Sequence, residues 1–157
     1  MAVMPARIRP RLAALALLMA GTAAAHEAAT GIVAERMRAM EDIAAQAKAI
    51  ERALKASSPD AAGIRARAER LHAHAHDMLR MFAPGSDHGH TFAAPEVWTR
   101  RADFERLAHA FDAAAEGLLE AAHTKAVPDV RERFASVRRQ CLDCHERFRT
   151  PGAERRP

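Results

Sequence analysis

At 157 residues the chain has the length of one domain, and 49% hydrophobic residues with 7 glycines and 8 prolines exclude both a disordered segment and a turn-rich fold. Its 24 Lys and Arg against 20 Asp and Glu make it basic overall, which would suit a nucleic-acid partner. That suggestion fails at the N-terminus, where three of the arginines stand in a segment expected to be removed.

Arg7, Arg9 and Arg11 form a positive stretch, Leu12 to Met19 a short apolar run, and Ala23, Ala24 and Ala25 a small-residue cleavage site. This is the pattern of a secretory signal peptide over residues 1–25, cut before His26. The apolar run falls well short of the roughly 20 residues of a spanning helix, so no membrane span is expected once it is gone. Residues 26–157 are then a single domain with 21 basic against 20 acidic residues. The charges are interleaved, and no nucleic-acid partner is expected. Export points to the periplasm, an oxidising compartment in which a bare C-x-x-C pair closes into a disulfide unless something occupies the thiols.

Four amphipathic segments follow. The first runs from about Thr30, a candidate N-cap, to Ser57, with Val33, Met40, Ile43, Ala47, Ile50 and Leu54 on one face. Arg36 falls on the same face, where a charge needs a partner or must snorkel to solvent. The sequence SSPDAAG restarts the pattern, with a serine as N-cap, Pro59 at the first helical position and Asp60 in the first turn. The second segment carries Ile64, Ala68, Leu71, Ala75, Met78 and Phe82 and ends in the loop APGSDHGHTFAAPE. The third starts near Pro95 and Glu96 and aligns Val97, Phe104, Ala108, Phe111, Ala115, Leu118 and Ala122, with Trp98 near its beginning. The fourth starts at Pro128 and Asp129, aligns Val130, Phe134, Val137, Cys141, Cys144 and Phe148, and stops before Pro151. The fold class expected is all-α, an antiparallel four-helix bundle. With six Phe, one Trp and no Tyr, its core is poor in aromatic rings and has room for a large group, unless the alanines simply let the helices approach.

The fourth segment holds both cysteines of the chain in QCLDCHERFR. On a helix Cys141, Cys144 and His145 project over neighbouring parts of one surface. Covalent haem attachment needs this arrangement: two thiols add to the porphyrin vinyl groups while the adjacent imidazole reaches the iron. Three other readings compete. A zinc site needs a fourth ligand and usually a second paired motif, a thioredoxin-like pair opens a helix after a strand, and the two thiols could form a structural disulfide. The cofactor expected is one covalently bound haem c.

The leader, the four helices and a C-x-x-C-H on the last of them resemble the class II cytochromes c, the cytochrome c′ family. RMRAM (Arg36 to Met40) is similar to the family's Arg-x-x-x-Leu/Met pattern, APEVW (Ala94 to Trp98) to its Pro-Glu-Ile-Trp loop, and CLDCHERFR to its haem signature. The resemblance implies His145 as proximal iron ligand, Arg149 beside the haem, Arg36 near the haem propionates, and homodimers through the first two helices. It also makes Met40 decisive. In the low-spin members a methionine at this position ligates the iron and the protein carries electrons to periplasmic redox partners; in the others an apolar side chain shields an open site for nitric oxide or carbon monoxide. The expectation taken from the sequence is electron transfer with Met40 as sixth ligand and Met37 a weaker rival. Gas binding is the alternative, because a methionine on a core face is more often packing.

A third possibility is metal handling. His72 and His76 are four apart, His74 lies between them, His88 and His90 follow in the loop, and His26 would head the mature chain. The first three flank the apolar stripe, which favours surface histidines. No nucleophile or acid and base pair is recognisable, so no enzymatic activity is expected.

Overall fold

The computed structural model describes residues 31–89, 91–124 and 126–150. The leader, the N-cap at Thr30, His26 and His90 lie outside them, while the last helix ends at Phe148, before Pro151 as expected. Four long helices and two single turns follow in order: α1 (Gly31–Lys55), α2 (Ala61–His76), α3 (Met78–Met81), α4 (Glu96–Thr99), α5 (Arg101–Thr124) and α6 (Val127–Phe148). The close helix approaches are α1 on α2, α2 on α5 and α5 on α6. One hydrophobic cluster, centred on Ile50, Ala68, Leu71, Phe104, Leu118 and Val137, runs through all four long helices.

Three boundaries differ from those read in the sequence. Asp60, and not a serine, caps α2, its carboxylate accepting from the Gly63 N–H at 3.0 Å; Pro59 precedes the cap. A Cβ at Gly63 would come within 2.2 Å of that carboxylate, so the cap needs glycine there. The second segment is interrupted at Asp77, and the third at Arg100, where α4 gives way to α5. Apolar periodicity carries across both breaks, which is why it reads as continuous.

α1 is also rotated from its expected stripe. Ala39, Gln46 and Ala49 are buried on the flank against α2, while Met40 and Ala47 are half-buried. The rotation follows from a polar network that binds α1 to α2. Asp42 accepts from Gln46 at 2.8 Å and from Arg70 at 3.0 Å and meets His74 Nε2 at 2.8 Å, and Arg67 donates to Gln46 at 3.3 Å. The His74 contact, then Gln46 and Arg70, hold the Asp42 carboxyl below the usual carboxylate range. A group depressed in the folded state stabilises above its unfolded pKa and loses that contribution as pH falls. Asp42→Asn is therefore expected to lower the denaturation midpoint at about pH 7 and leave a smaller fall between there and about pH 3, as followed by denaturant unfolding at each pH. A midpoint that falls with acid as steeply as in the parent chain would refute this.

Candidate haem site

Between α1 and α6 the contact is of a different kind. Glu51 pairs with Arg138 at 3.3 Å, and Arg131 donates to the Leu54 carbonyl. These two ties run in opposite sense along the helices, so the pair is antiparallel, and they identify the facing stripes. Met40 lies eleven residues before Glu51 and fourteen before Leu54, within about 40° of both on a helix of 3.6 residues per turn. On α6, His145 lies seven residues beyond Arg138, on the stripe it occupies, and Arg149 caps the helix four residues later. Counted at 1.5 Å per residue from either tie, Met40 stands level with the His145 to Arg149 turn. The two faces thus oppose one another at this level of the bundle, and the space between them is called the cleft.

Cys141 and Cys144 are not joined to one another, and both are half-buried and packed against the core. Burial pushes the Cys141 thiol up and that of Cys144 up to about 11. His145 is exposed on the cleft side of α6. Met40 is half-buried against the core cluster, and Met37 is half-buried one turn earlier.

Arg36 closes one end of the cleft. It is 3% exposed, so it does not snorkel. Nη1 donates to the Met81 carbonyl at 3.2 Å and to Ser86 Oγ at 3.3 Å; Nη2 donates to the Ser86 carbonyl at 3.1 Å and to Thr91 Oγ1 at 2.8 Å. Its guanidinium stacks 4.7 Å from the Phe82 ring and 5.6 Å from that of Trp98. Burial lowers its pKa from the ordinary arginine value. These partners are neutral, and Arg36 forms no ion pair among the described residues, which leaves a buried positive charge suited to a carboxylate that the fold itself does not bring.

The loop before α4 is stitched to the end of α6. Ala94 N–H donates to the Phe148 carbonyl at 2.9 Å, Thr150 N–H to the Phe92 carbonyl at 2.9 Å, and Trp98 Nε1 to the Ala83 carbonyl at 3.1 Å. Phe82, Phe104 and Phe148 form a ring cluster beneath, the first pair tilted with centroids 4.9 Å apart and the second edge-on at 5.4 Å. The three sequence fragments around Arg36, Trp98 and Cys144 therefore converge on one end of the bundle. The partners that sequence reasoning missed are Ser86, Thr91 and Phe82. Hydroxyl residues in a glycine- and proline-containing loop were the available signal.

The histidines fall elsewhere. His74 belongs to the Asp42 network, and His88 is exposed in the loop. His72 and His76 face Asp112 of α5, at 3.6 and 3.4 Å, and Asp112 Oδ1 is buried without a hydrogen bond. Among the described residues no group of three or more His, Cys, Asp or Glu is arranged to hold a metal ion.

The two thiols, the imidazole beside them, the cleft and the unbalanced guanidinium fit a covalently attached haem. Comparison with known proteins agrees. A family model described as Cytochrome C′ matches residues 31–149. No curated protein sequence matches the chain. Among solved structures, a cytochrome c′ described as having an unusual ligand-controlled dimer dissociation is 27% identical, with a TM-score of 0.71 over 76% of this chain and 94% of that one. A nitric oxide-bound ferrous variant of Alcaligenes xylosoxidans cytochrome c′ is 28% identical, with a TM-score of 0.70 over 76% and 93%. A carbon monoxide-bound variant from the same organism is 29% identical, with a TM-score of 0.70 over 76% and 94%. A match over nearly the whole described chain, in sequence pattern and in fold, makes this protein a member of the cytochrome c′ family, a four-helix bundle that carries covalent haem c.

Proposed function

We propose that this chain is an exported haem protein in which Cys141 and Cys144 hold the haem by thioether bonds, His145 is the proximal ligand, and Met40 shields a distal site for a small neutral gas such as nitric oxide or carbon monoxide. The observation that carries this reading is the position of Met40, on the cleft face of α1 level with His145 and packed against the hydrophobic core. A thioether engaged in core packing covers the distal side without being presented to a metal. The gas complexes of the solved relatives support the same order.

When bound, the haem would supply an iron able to exist as ferric or ferrous and to bind a small neutral molecule. The chain's own residues do the rest. His145 presents a ring nitrogen from the turn that carries the thiols. Arg36 offers a fixed cation, held by four neutral oxygens, to the haem carboxylates, and Arg149 stands four residues beyond His145 as the cap of the helix. Met40 and the alanines of α1 keep water from the distal side. Residues 1–25 serve as leader to the periplasm, and among the described residues no helix is long and apolar enough to cross a membrane. A homodimer through α1 and α2 and exchange of electrons with periplasmic redox proteins belong to the same proposal, and no catalytic role is included.

The second reading, ligation by Met40 and a role in electron transfer alone, is favoured by the same register, since His145 and Met40 face one cleft from opposite sides. Optical spectra of the purified holoprotein separate the two. Gas binding predicts high-spin iron, ready carbon monoxide uptake by the ferrous form, unchanged spin state in Met40→Leu, and faster carbon monoxide association in Met40→Ala. Low-spin iron that becomes high-spin in Met40→Leu would overturn the order and install Met40 as ligand.

A further inference from the structure

Between the Glu51–Lys55 end of α1 and the stretch of α6 from Arg131 to Leu142 lies an open groove of about 430 Å³. Leu54, Phe134 and Ala135 give it an apolar floor. Its rim carries Lys55, Arg131, Arg138 and Arg139 against one carboxylate, Glu51. That carboxylate is already engaged, by Lys55 at 3.0 Å and Arg138 at 3.3 Å. Arg139 is exposed and forms no hydrogen bond or ion pair among the described residues. Beside it Leu142 is 65% exposed, against 40% for Phe92, the other exposed large apolar side chain described. An apolar residue left open to water beside a rim of cations has the make-up of an interface core with its charged border.

Leu142 directly follows Cys141, so a partner seated on it comes within one residue of the haem attachment. We infer that this groove docks an acidic one-electron carrier protein, with Leu142 as the apolar centre and Arg139, Arg138 and Lys55 as the attracting rim. Charge complementarity chooses the occupant: residues 26–157 carry 21 basic against 20 acidic residues, yet the groove itself is lined by four cations and one acid, with Asp143 exposed beyond Leu142, and local fields of that kind steer association. In the exchange, the donor's reduced centre loses one electron and is oxidised, the haem iron passes from ferric to ferrous, and no bond or proton moves. The groove thereby supplies the ferrous state that takes up carbon monoxide. The inference stands on haem at Cys141 and Cys144 and not on what completes the iron's coordination.

The test uses ferrous holoprotein in stopped flow with two small oxidants, anionic hexacyanoferrate(III) and cationic tris(phenanthroline)cobalt(III). The hexacyanoferrate rate is expected to fall with ionic strength, and Arg139→Glu to lower it at least about threefold at low salt while raising the cobalt rate. Leu142→Lys should move both rates the other way. Arg65→Glu, an equal charge change on an exposed position of α2, should move neither comparably. Poly-L-glutamate, its binding followed separately by calorimetry, should slow the hexacyanoferrate reaction of the parent protein and lose that effect in Arg139→Glu. Equal effects of Arg139→Glu and Arg65→Glu would overturn the proposal in favour of net charge alone. Laurate bound in the groove, with no inhibition by poly-L-glutamate, would overturn it in favour of a site for a small anionic amphiphile. Carbon monoxide association measured on the same samples keeps the two conclusions apart: failure of the groove leaves that rate untouched, and failure of the gas-binding reading leaves the charge dependence of oxidation in place.

Discussion

The chain with Cys141→Ser and Cys144→Ser is expected to emerge without haem and largely without cooperative structure, having lost most of its far-ultraviolet helical signal and its sharp thermal transition. The reason lies between α1 and α6. The other neighbouring long helices pack closely, but these two are joined by an ion pair and an arginine-to-carbonyl contact at one end, and both contacts reach solvent. A haem buries more surface than any aromatic side chain, and at about 25 cal/mol per Å² its burial contributes several kcal/mol. That is comparable with the roughly 5 to 15 kcal/mol that separates a folded domain from its unfolded chain. Arg36 adds to the cost of the haem-free state, because among the described residues no acidic side chain meets its buried charge. Circular dichroism and calorimetry of the double variant, compared with the haem-loaded parent, check this. A variant that melts cooperatively within a few degrees of the parent would show that the helices need no haem to hold together.

Arg36→Met is expected to destabilise the haem-loaded protein by about 2 to 4 kcal/mol. Methionine fills a similar length but donates nothing, so the Met81 and Ser86 carbonyls and the Thr91 hydroxyl each lose a charge-assisted partner in a site closed to water. The stacking on Phe82 and Trp98 also loses its cationic part, worth about 1 kcal/mol. Arg36→Lys should fall between, since an ammonium keeps the charge but cannot span four acceptors with a planar fork. Denaturant unfolding gives the stabilities. A loss under about 1 kcal/mol in Arg36→Met would mean that the haem carboxylates and the loop are held by other groups.

Much of this molecule could be read from local spacing. The four helices follow from apolar residues at three and four, and Cys141, Cys144 and His145 share one turn of one helix, so neither depends on distant chain. The breaks at Asp77 and Arg100 were hidden because a single turn set apart from its helix keeps the apolar phase. The serine assigned as cap to α2 was displaced by Asp60, which competes for the same amide and reaches it through the space Gly63 leaves. Arg36 announced itself as a charge in a core stripe, but its oxygen partners lie 45 to 55 residues away in an irregular loop, where no periodicity operates. Met40 could be placed on a face from sequence, whereas its swing toward α6 depends on the Asp42 network that turns α1 against α2.

The stitch between the loop and the end of α6 also bears on how fast the molecule assembles. Each long helix, and the turns flanking it, forms from neighbours within a few residues. The contacts that close this end of the bundle do not: Ala94 must find Phe148, and Arg36 must find Met81 45 residues on and Thr91 55 residues on. Loop closure over such lengths is paid in chain entropy before any contact returns it, and contacts of this kind come late. The helices therefore precede this end in time, and the end where Arg36, the loop before α4 and the end of α6 meet is the one that closes last and reopens first.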